Sequence, residues 1–312
     1  MSRLAVVQAP PSFLDRDRTL QRVVEHIEEA ARGEARLVAF PETFIPGYPT
    51  WIWRLRPGGD MALIAEIHAR LVANAIDLAR DGLAPVREAA RRHGVWVTCG
   101  INEIDGEYSR GTLYNTVVVI GSDGEIKNRH RKLMPTNPER MVWGTGDACG
   151  LRAIETPIGR VGVLICWENY MPLARYALYA DGVDVLLSPT WDSGDGWLGT
   201  MQHIAREGRC YVVGCGSVLE AKDIPADFPA REQVFPDPNE WVNDGDSVIV
   251  APGGRVVKGP MRREKGLLFA DIDRSAVTAA RRVLDVAGHY ARADVFQLHV
   301  RRAPLPPVVE RS

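Results

Sequence analysis

GVLICWENYMPLAR, residues 162–175, is the stretch on which the fold turns. Its apolar start ends a buried strand, and Pro172 suits the first turn of a helix, where its missing N–H costs nothing. Between them stand Cys166, Trp167, Glu168 and Asn169. The cysteine is either the last inert residue of a strand or a nucleophile presented beyond a strand end. Taken singly, an inert buried thiol is the commoner case.

Outward from this turn the chain alternates strand and helix signals. Upstream, RLAVVQA (3–9) predicts a first strand, and Leu20, Val23, Val24, Ile27 and Ala31 recur at helical spacing after the capping candidates Asp15 and Asp17, up to Gly33. ARLVAF (35–40) predicts a buried strand ending at Pro41-Glu42. Residues 61–92 predict helix broken near 82–85, and VWVTCG (95–100) predicts a further strand. LYNTVVVI, the turn GSDG and EIKNRHRKL (113–133) predict a hairpin. Downstream, VDVLLS (183–188), the helix TMQHIAREGR (200–209), CYVVGCGS (210–217), the hairpin SVIVAPGGRVVKG (247–259) and GLLFADID (266–273) continue the pattern, with 220–244 expected as a long surface loop. Nothing linker-like interrupts it, so the expectation is one α/β unit over residues 1–300 with mixed sheets and a short tail over 301–312.

Composition narrows the function classes. The 312 residues carry 38 Lys and Arg against 40 Asp and Glu, so no global field draws the chain to nucleic acid or anionic lipid. No segment approaches the roughly 18 uninterrupted apolar residues of a membrane span. The expectation is a cytoplasmic protein with a small, neutral or weakly charged partner, no nucleic acid and no membrane. Five cysteines without CxxC spacing argue for free thiols, and seven histidines without an i,i+4 pair argue against a metal site. GDGWLG (194–199) satisfies the dinucleotide pattern G-x-G-x-x-G, but PTWDS separates it from the preceding strand, whereas that motif needs a tight strand-to-helix turn. Glu42, Lys132 and Cys166 each follow a predicted strand, and sites in open α/β sheets gather beyond strand ends. Spacing alone does not bring the three together.

The motifs AFPETFIPGYP, HRKLMPT and ICWENYMPLAR resemble, in that order, the nitrilase (carbon–nitrogen hydrolase) superfamily and its catalytic Glu, Lys and Cys. LMPTNPERMVWGTGD, SPTWDSGDGW, TMQHIAREGRC and HYARADVFQL extend the likeness to the true nitrilase branch, from Leu4 to about Val300. The resemblance implies a four-layer αββα sandwich, pairing of subunits through the helix after Pro172, and a homodimer or larger assembly. It implies Cys166 as nucleophile, Glu42 as base, Lys132 as fixed positive charge and Glu139 as a supporting glutamate. Trp167, Tyr48, Trp191 and His130 are the expected substrate contacts. The implied reaction turns a nitrile into the acid and ammonia without metal or organic cofactor. An amidase or cyanide-hydrolysing relative is the alternative, and a non-catalytic scaffold or dinucleotide-binding protein a remote one.

Overall fold

A computed structural model describes residues 1–304 and Val308, so most of the expected 301–312 tail lies outside the described residues. The first sheet contains β1 (Ser2–Gln8), β2 (Leu37–Ala39), β3 (Trp96–Ile104), β4 (Leu113–Ile120), β5 (Ile126–Arg131) and, returning from the far end of the chain, β13 (Gly266–Ile272). Its order is β13-β1-β2-β3-β4-β5. β1, β2 and β3 run parallel, while β13, β4 and β5 are joined antiparallel. The second sheet contains β6 (Ile154–Thr156), β7 (Gly159–Val163), β8 (Val185–Thr190), β9 (Tyr211–Gly216), β10 (Val218–Glu220), β11 (Trp241–Val250) and β12 (Val256–Arg262). Parallel β7, β8 and β9 form its centre, with antiparallel partners outside them. Both sheets are mixed, as expected.

Strand alternation sorts side chains between layers, because successive residues point to opposite faces. In β1, Ala5 and Val7 face α1 (Arg16–Arg32) and α3 (Ala84–His93), whereas Leu4 and Val6 face the second sheet. In β8, Val185 and Leu187 face inward against the first sheet, while Leu186 turns outward to α4 (Pro172–Ala180) and α5 (Asp195–Gly208). The result is helix, sheet, sheet, helix. Helix α1 begins where expected, with the Asp15 carboxylate accepting from the Arg18 N–H at 3.0 Å. α2 (Met61–Ala73), the single-turn α6 (Arg231–Val234) and α7 (Arg274–Val283) complete the helices. No helix among the described residues is long and apolar enough to cross a membrane.

Three expectations shift. β7 stops at Val163, short of Cys166, because the chain bends out of the sheet there. α5 starts at Asp195, so Gly196 and Gly199 of the dinucleotide-like pattern lie inside a helix and not in a tight strand-to-helix turn. The stretch 220–244 is no simple surface loop: Phe228, Val234 and Phe235 are buried with Trp51 and Phe13 in a fourth apolar cluster, and β11 already begins at Trp241. Scattered among Pro and Asp, these apolar residues have no period to read.

Candidate active site

Glu42, Lys132 and Cys166 leave the ends of β2, β5 and β7, and the sheets are assembled so that these ends meet. Glu42 lies three residues past β2, on backbone that crosses closely over β3. Gly100 makes that crossing possible, since a Cβ there would overlap the Pro41 carbonyl oxygen. Gly146 does the same for Lys132: its N–H donates to the Lys132 carbonyl at 2.8 Å, and a Cβ would strike the Arg131 carbonyl. Cys166 has φ +52°, a left-handed conformation uncommon for a side chain of this kind, at the head of a short 3₁₀ turn (Cys166–Tyr170) leading into α4. Such conformations persist only where the surroundings over-determine them. Here Asn169 does so, its Nδ2 donating to the Leu164 carbonyl at 3.0 Å and the Cys166 carbonyl at 2.8 Å.

The three side chains converge with Glu139. Lys132 Nζ donates to Glu42 Oε1 at 2.8 Å and to Glu139 Oε2 at 2.7 Å, and all three residues are buried. Glu42 also accepts from Asn115 Nδ2 at 2.7 Å and, on its other oxygen, from the Trp191 N–H at 2.7 Å. Glu139 accepts from Tyr48 Oη at 2.7 Å and from the Thr136 N–H at 2.7 Å. Burial lowers the proton affinity of Lys132, but Glu42, Cys166 and Glu139 together outweigh it, and the ammonium is held charged well beyond the ordinary lysine range. Burial raises Glu42 above the usual carboxylate range; Lys132 opposes the rise and Glu139 adds to it. Burial likewise pushes the Cys166 thiol up, with Glu42 reinforcing the effect and Lys132 only partly relieving it. A neutral thiol therefore rests beside an ion-paired carboxylate whose raised basicity suits it to take the thiol proton.

Above this cluster opens a cavity of about 380 Å³. Cys166 and Glu139 lie on its surface, with Tyr48, Trp53, Trp167, Trp191 and Trp241 as aromatic walls. Tyr48 and Trp191 stack at 4.3 Å and 6°, and Tyr48 Oη accepts from Trp53 Nε1 at 3.1 Å. Tyr48 and Trp53 therefore reach the cavity, whereas Trp51 between them packs into the core. His130 does not line the cavity, contrary to its expected place among substrate contacts. Its position on β5 turns it into the protein, where its ring is fully buried against Glu168 at 3.0 Å. Among the described residues no group of three His, Cys, Asp or Glu is placed to hold a metal ion.

The carbon–nitrogen hydrolase family model matches residues 3–282. The chain belongs to this family. It is 40% identical to the aliphatic nitrilase of Sinorhizobium fredii (strain HH103), over 99% of this chain and 99% of that protein. It is 39% identical to a bifunctional nitrilase/nitrile hydratase of Nicotiana tabacum, over 98% of this chain and 88% of that protein. Among solved structures, the C. elegans NitFhit protein superposes with a TM-score of 0.72 at 23% identity, covering 98% of this chain and 68% of that one. The fold is that of the nitrilase superfamily.

Sequence reasoning missed Glu168. Its carboxylate accepts from the Leu133 N–H at 2.7 Å and the Ile165 N–H at 2.6 Å, so one buried side chain joins the peptide after Lys132 to the peptide before Cys166. Its place two residues after the cysteine was the available signal. Asn115, one residue of an ordinary strand, gave none.

Because protonated Glu42 cannot accept the thiol proton, its raised pKa moves the loss of thiol reactivity upward in pH. Iodoacetamide labelling, followed by peptide mass spectrometry, is expected to modify Cys166 ahead of the enclosed Cys99 and Cys210. As pH falls, the Cys166 rate should drop above the ordinary carboxylate range. Labelling that falls only within that range, or that favours Cys99, would contradict the geometry.

Proposed function

We propose that this chain is a nitrilase, hydrolysing R–C≡N to R–COOH and ammonia with Cys166 as nucleophile. The observation that carries the proposal is the ammonium of Lys132 shared by two buried carboxylates beside a cysteine that opens onto an aromatic cavity. The sulfur bonds to the nitrile carbon as Glu42 takes the thiol proton and returns it to nitrogen, giving a thioimidate. Water adds to form a tetrahedral centre carrying OH, NH2 and sulfur. Protonated nitrogen leaves as ammonia, a thioester remains, and a second water releases the acid and restores the thiol. Lys132 steadies negative charge developing at the reacting carbon's substituents, a role whose removal typically costs roughly 3–4 kcal/mol.

The curated relatives' names support nitriles over amides as substrates, and the aromatic walls suit an organic R group. Free thiols and balanced charge fit a cytoplasmic enzyme. Association as a homodimer or larger species forms part of the same proposal. Leu173 on α4 and Phe296 beyond α7 are 67% and 78% exposed beside an apolar groove, and such patches mark interaction surfaces. Sedimentation velocity is expected to give a dimer or larger; a fully active monomer at micromolar concentration would overturn that part.

Ammonia release from a panel of nitriles and their corresponding amides tests the activity. Nitriles should be hydrolysed in preference, and Cys166→Ala should lose about 10⁴-fold or more in kcat while remaining folded by circular dichroism. A preference for amides would turn the assignment to the amidase alternative, and near-normal turnover by Cys166→Ala would refute the nucleophile.

Partition at the tetrahedral centre provides a second test. Ammonia leaves only with its nitrogen protonated, and ionised Glu42 and Glu139 favour that cation, whereas departure of the thiolate gives amide. Glu139→Gln removes one negative charge from the cavity surface. Among products quantified at low conversion, with the amide also supplied as substrate to correct for re-hydrolysis, its amide fraction should exceed the parent's. An unchanged fraction in an active variant would remove that role from Glu139.

A further inference from the structure

The charges on the cavity wall are unequally compensated. Glu139 is paired with Lys132 at 2.7 Å, and Asp244 with Arg263 at 3.1 Å. Asp192 enters no ion pair among the described residues; its Oδ2 accepts from Trp167 Nε1 at 2.9 Å and its Oδ1 from the Ser193 N–H at 2.9 Å. Among the described residues, no Lys, Arg or His side chain lines the cavity. Lys265, 5.9 Å from the Trp241 ring centre, lies outside the lining and is held by Glu220 at 2.7 Å and Asp223 at 3.0 Å. Asp192 also follows directly on Trp191, whose N–H holds Glu42, so the uncompensated carboxylate stands on the same short segment that anchors the base.

We propose that this cavity selects nitriles bearing a protonated amine over nitriles bearing a carboxylate, with Asp192 as the specificity-determining residue. The proposal rests on the nitrilase reading and adds a substrate class to it. An ammonium group gains the attraction of Asp192 and of the Trp53 and Trp241 rings in the lining, since aromatic faces attract cations. A carboxylate meets the same rings and Asp192 with no cation in the lining to receive it, and like-charge juxtaposition is costly. Asp192 supplies this difference without touching the reacting nitrile carbon. Its grip on Trp167 Nε1 orients that ring at the mouth, where Trp167 is 51% exposed.

The test uses three nitriles of similar length at neutral pH: aminocapronitrile as cation, heptanenitrile as neutral reference and cyanovalerate as anion. The parent enzyme should show a kcat/KM for aminocapronitrile above that for cyanovalerate by about tenfold or more, the ratio set by roughly 1.4 kcal/mol. Asp192→Asn, which keeps an oxygen acceptor for Trp167, should shrink this ratio several-fold, and Asp192→Glu should retain most of it. In the parent, raising ionic strength should shrink it too, because this wall is open to solvent and screened by salt. Equal or better turnover of cyanovalerate, a ratio unchanged in Asp192→Asn, or a ratio insensitive to salt would each overturn the proposal. If Asp192→Asn does not fold, the salt dependence of the parent decides. Failure to hydrolyse heptanenitrile together with the other two would instead overturn the nitrilase reading.

Discussion

A lysine ammonium enclosed in protein and shared by two carboxylates is the constraint on which the rest depends. Lys132, Glu42 and Glu139 have almost no contact with bulk solvent, and an ion taken out of water is tolerated only where partners surround it. Removing one partner of such a cluster commonly costs about 3–5 kcal/mol, since a charge is left buried and uncompensated. Each residue is therefore held by the others as well as by its own strand end. The same enclosure sets the chemistry. Burial raises the proton affinity of Glu42 and of the Cys166 thiol together, which on the proposed route leaves a neutral thiol beside a carboxylate suited to take its proton.

Two mixed sheets make that cluster affordable. β2 and β5 of one sheet deliver Glu42 and Lys132; β7 and β8 of the other deliver Cys166 and the Trp191 amide that binds Glu42. The contact between the sheets, through Leu4, Val6, Val163 and Leu187, thus sets the separation of Glu42 and Cys166. Glu168 adds a direct polar tie across the same gap, since it accepts from Leu133 after β5 and from Ile165 after β7. The elbow at Cys166, with its positive φ, is held from both sides by Asn169 and Glu168.

Much of this was legible in the sequence because alternation and strand-end position are local signals. The runs that became β1, β4, β8 and β9 were largely apolar and bounded by turn residues, the polar β5 was marked by the GSDG turn before it, and Asp15 capped the helix it preceded. The order of Glu42, Lys132, Glu139 and Cys166 was readable through family resemblance, whereas their convergence depends on sheet pairing that no window of sequence contains. Three features stayed hidden for physical reasons. His130 was expected among the substrate contacts, but its strand register turns it inward to Glu168. Trp241 lay in a stretch too rich in Pro, Asp and Asn to suggest a wall of the cavity. Asp192 resembled any loop carboxylate, because its lack of a cationic partner among the described residues is a property of what faces it.

On the proposed route, turnover passes through a covalent bond to Cys166, held in place by the Glu42–Lys132–Glu139 cluster. Acid quenching during steady-state hydrolysis of a nitrile, followed by proteolysis and mass spectrometry, tests it most directly. The peptide spanning Cys166 should carry the mass of the acyl group derived from R, and no other cysteine should. Turnover with that peptide unmodified at every quench time, or with the acyl group on another residue, would contradict it.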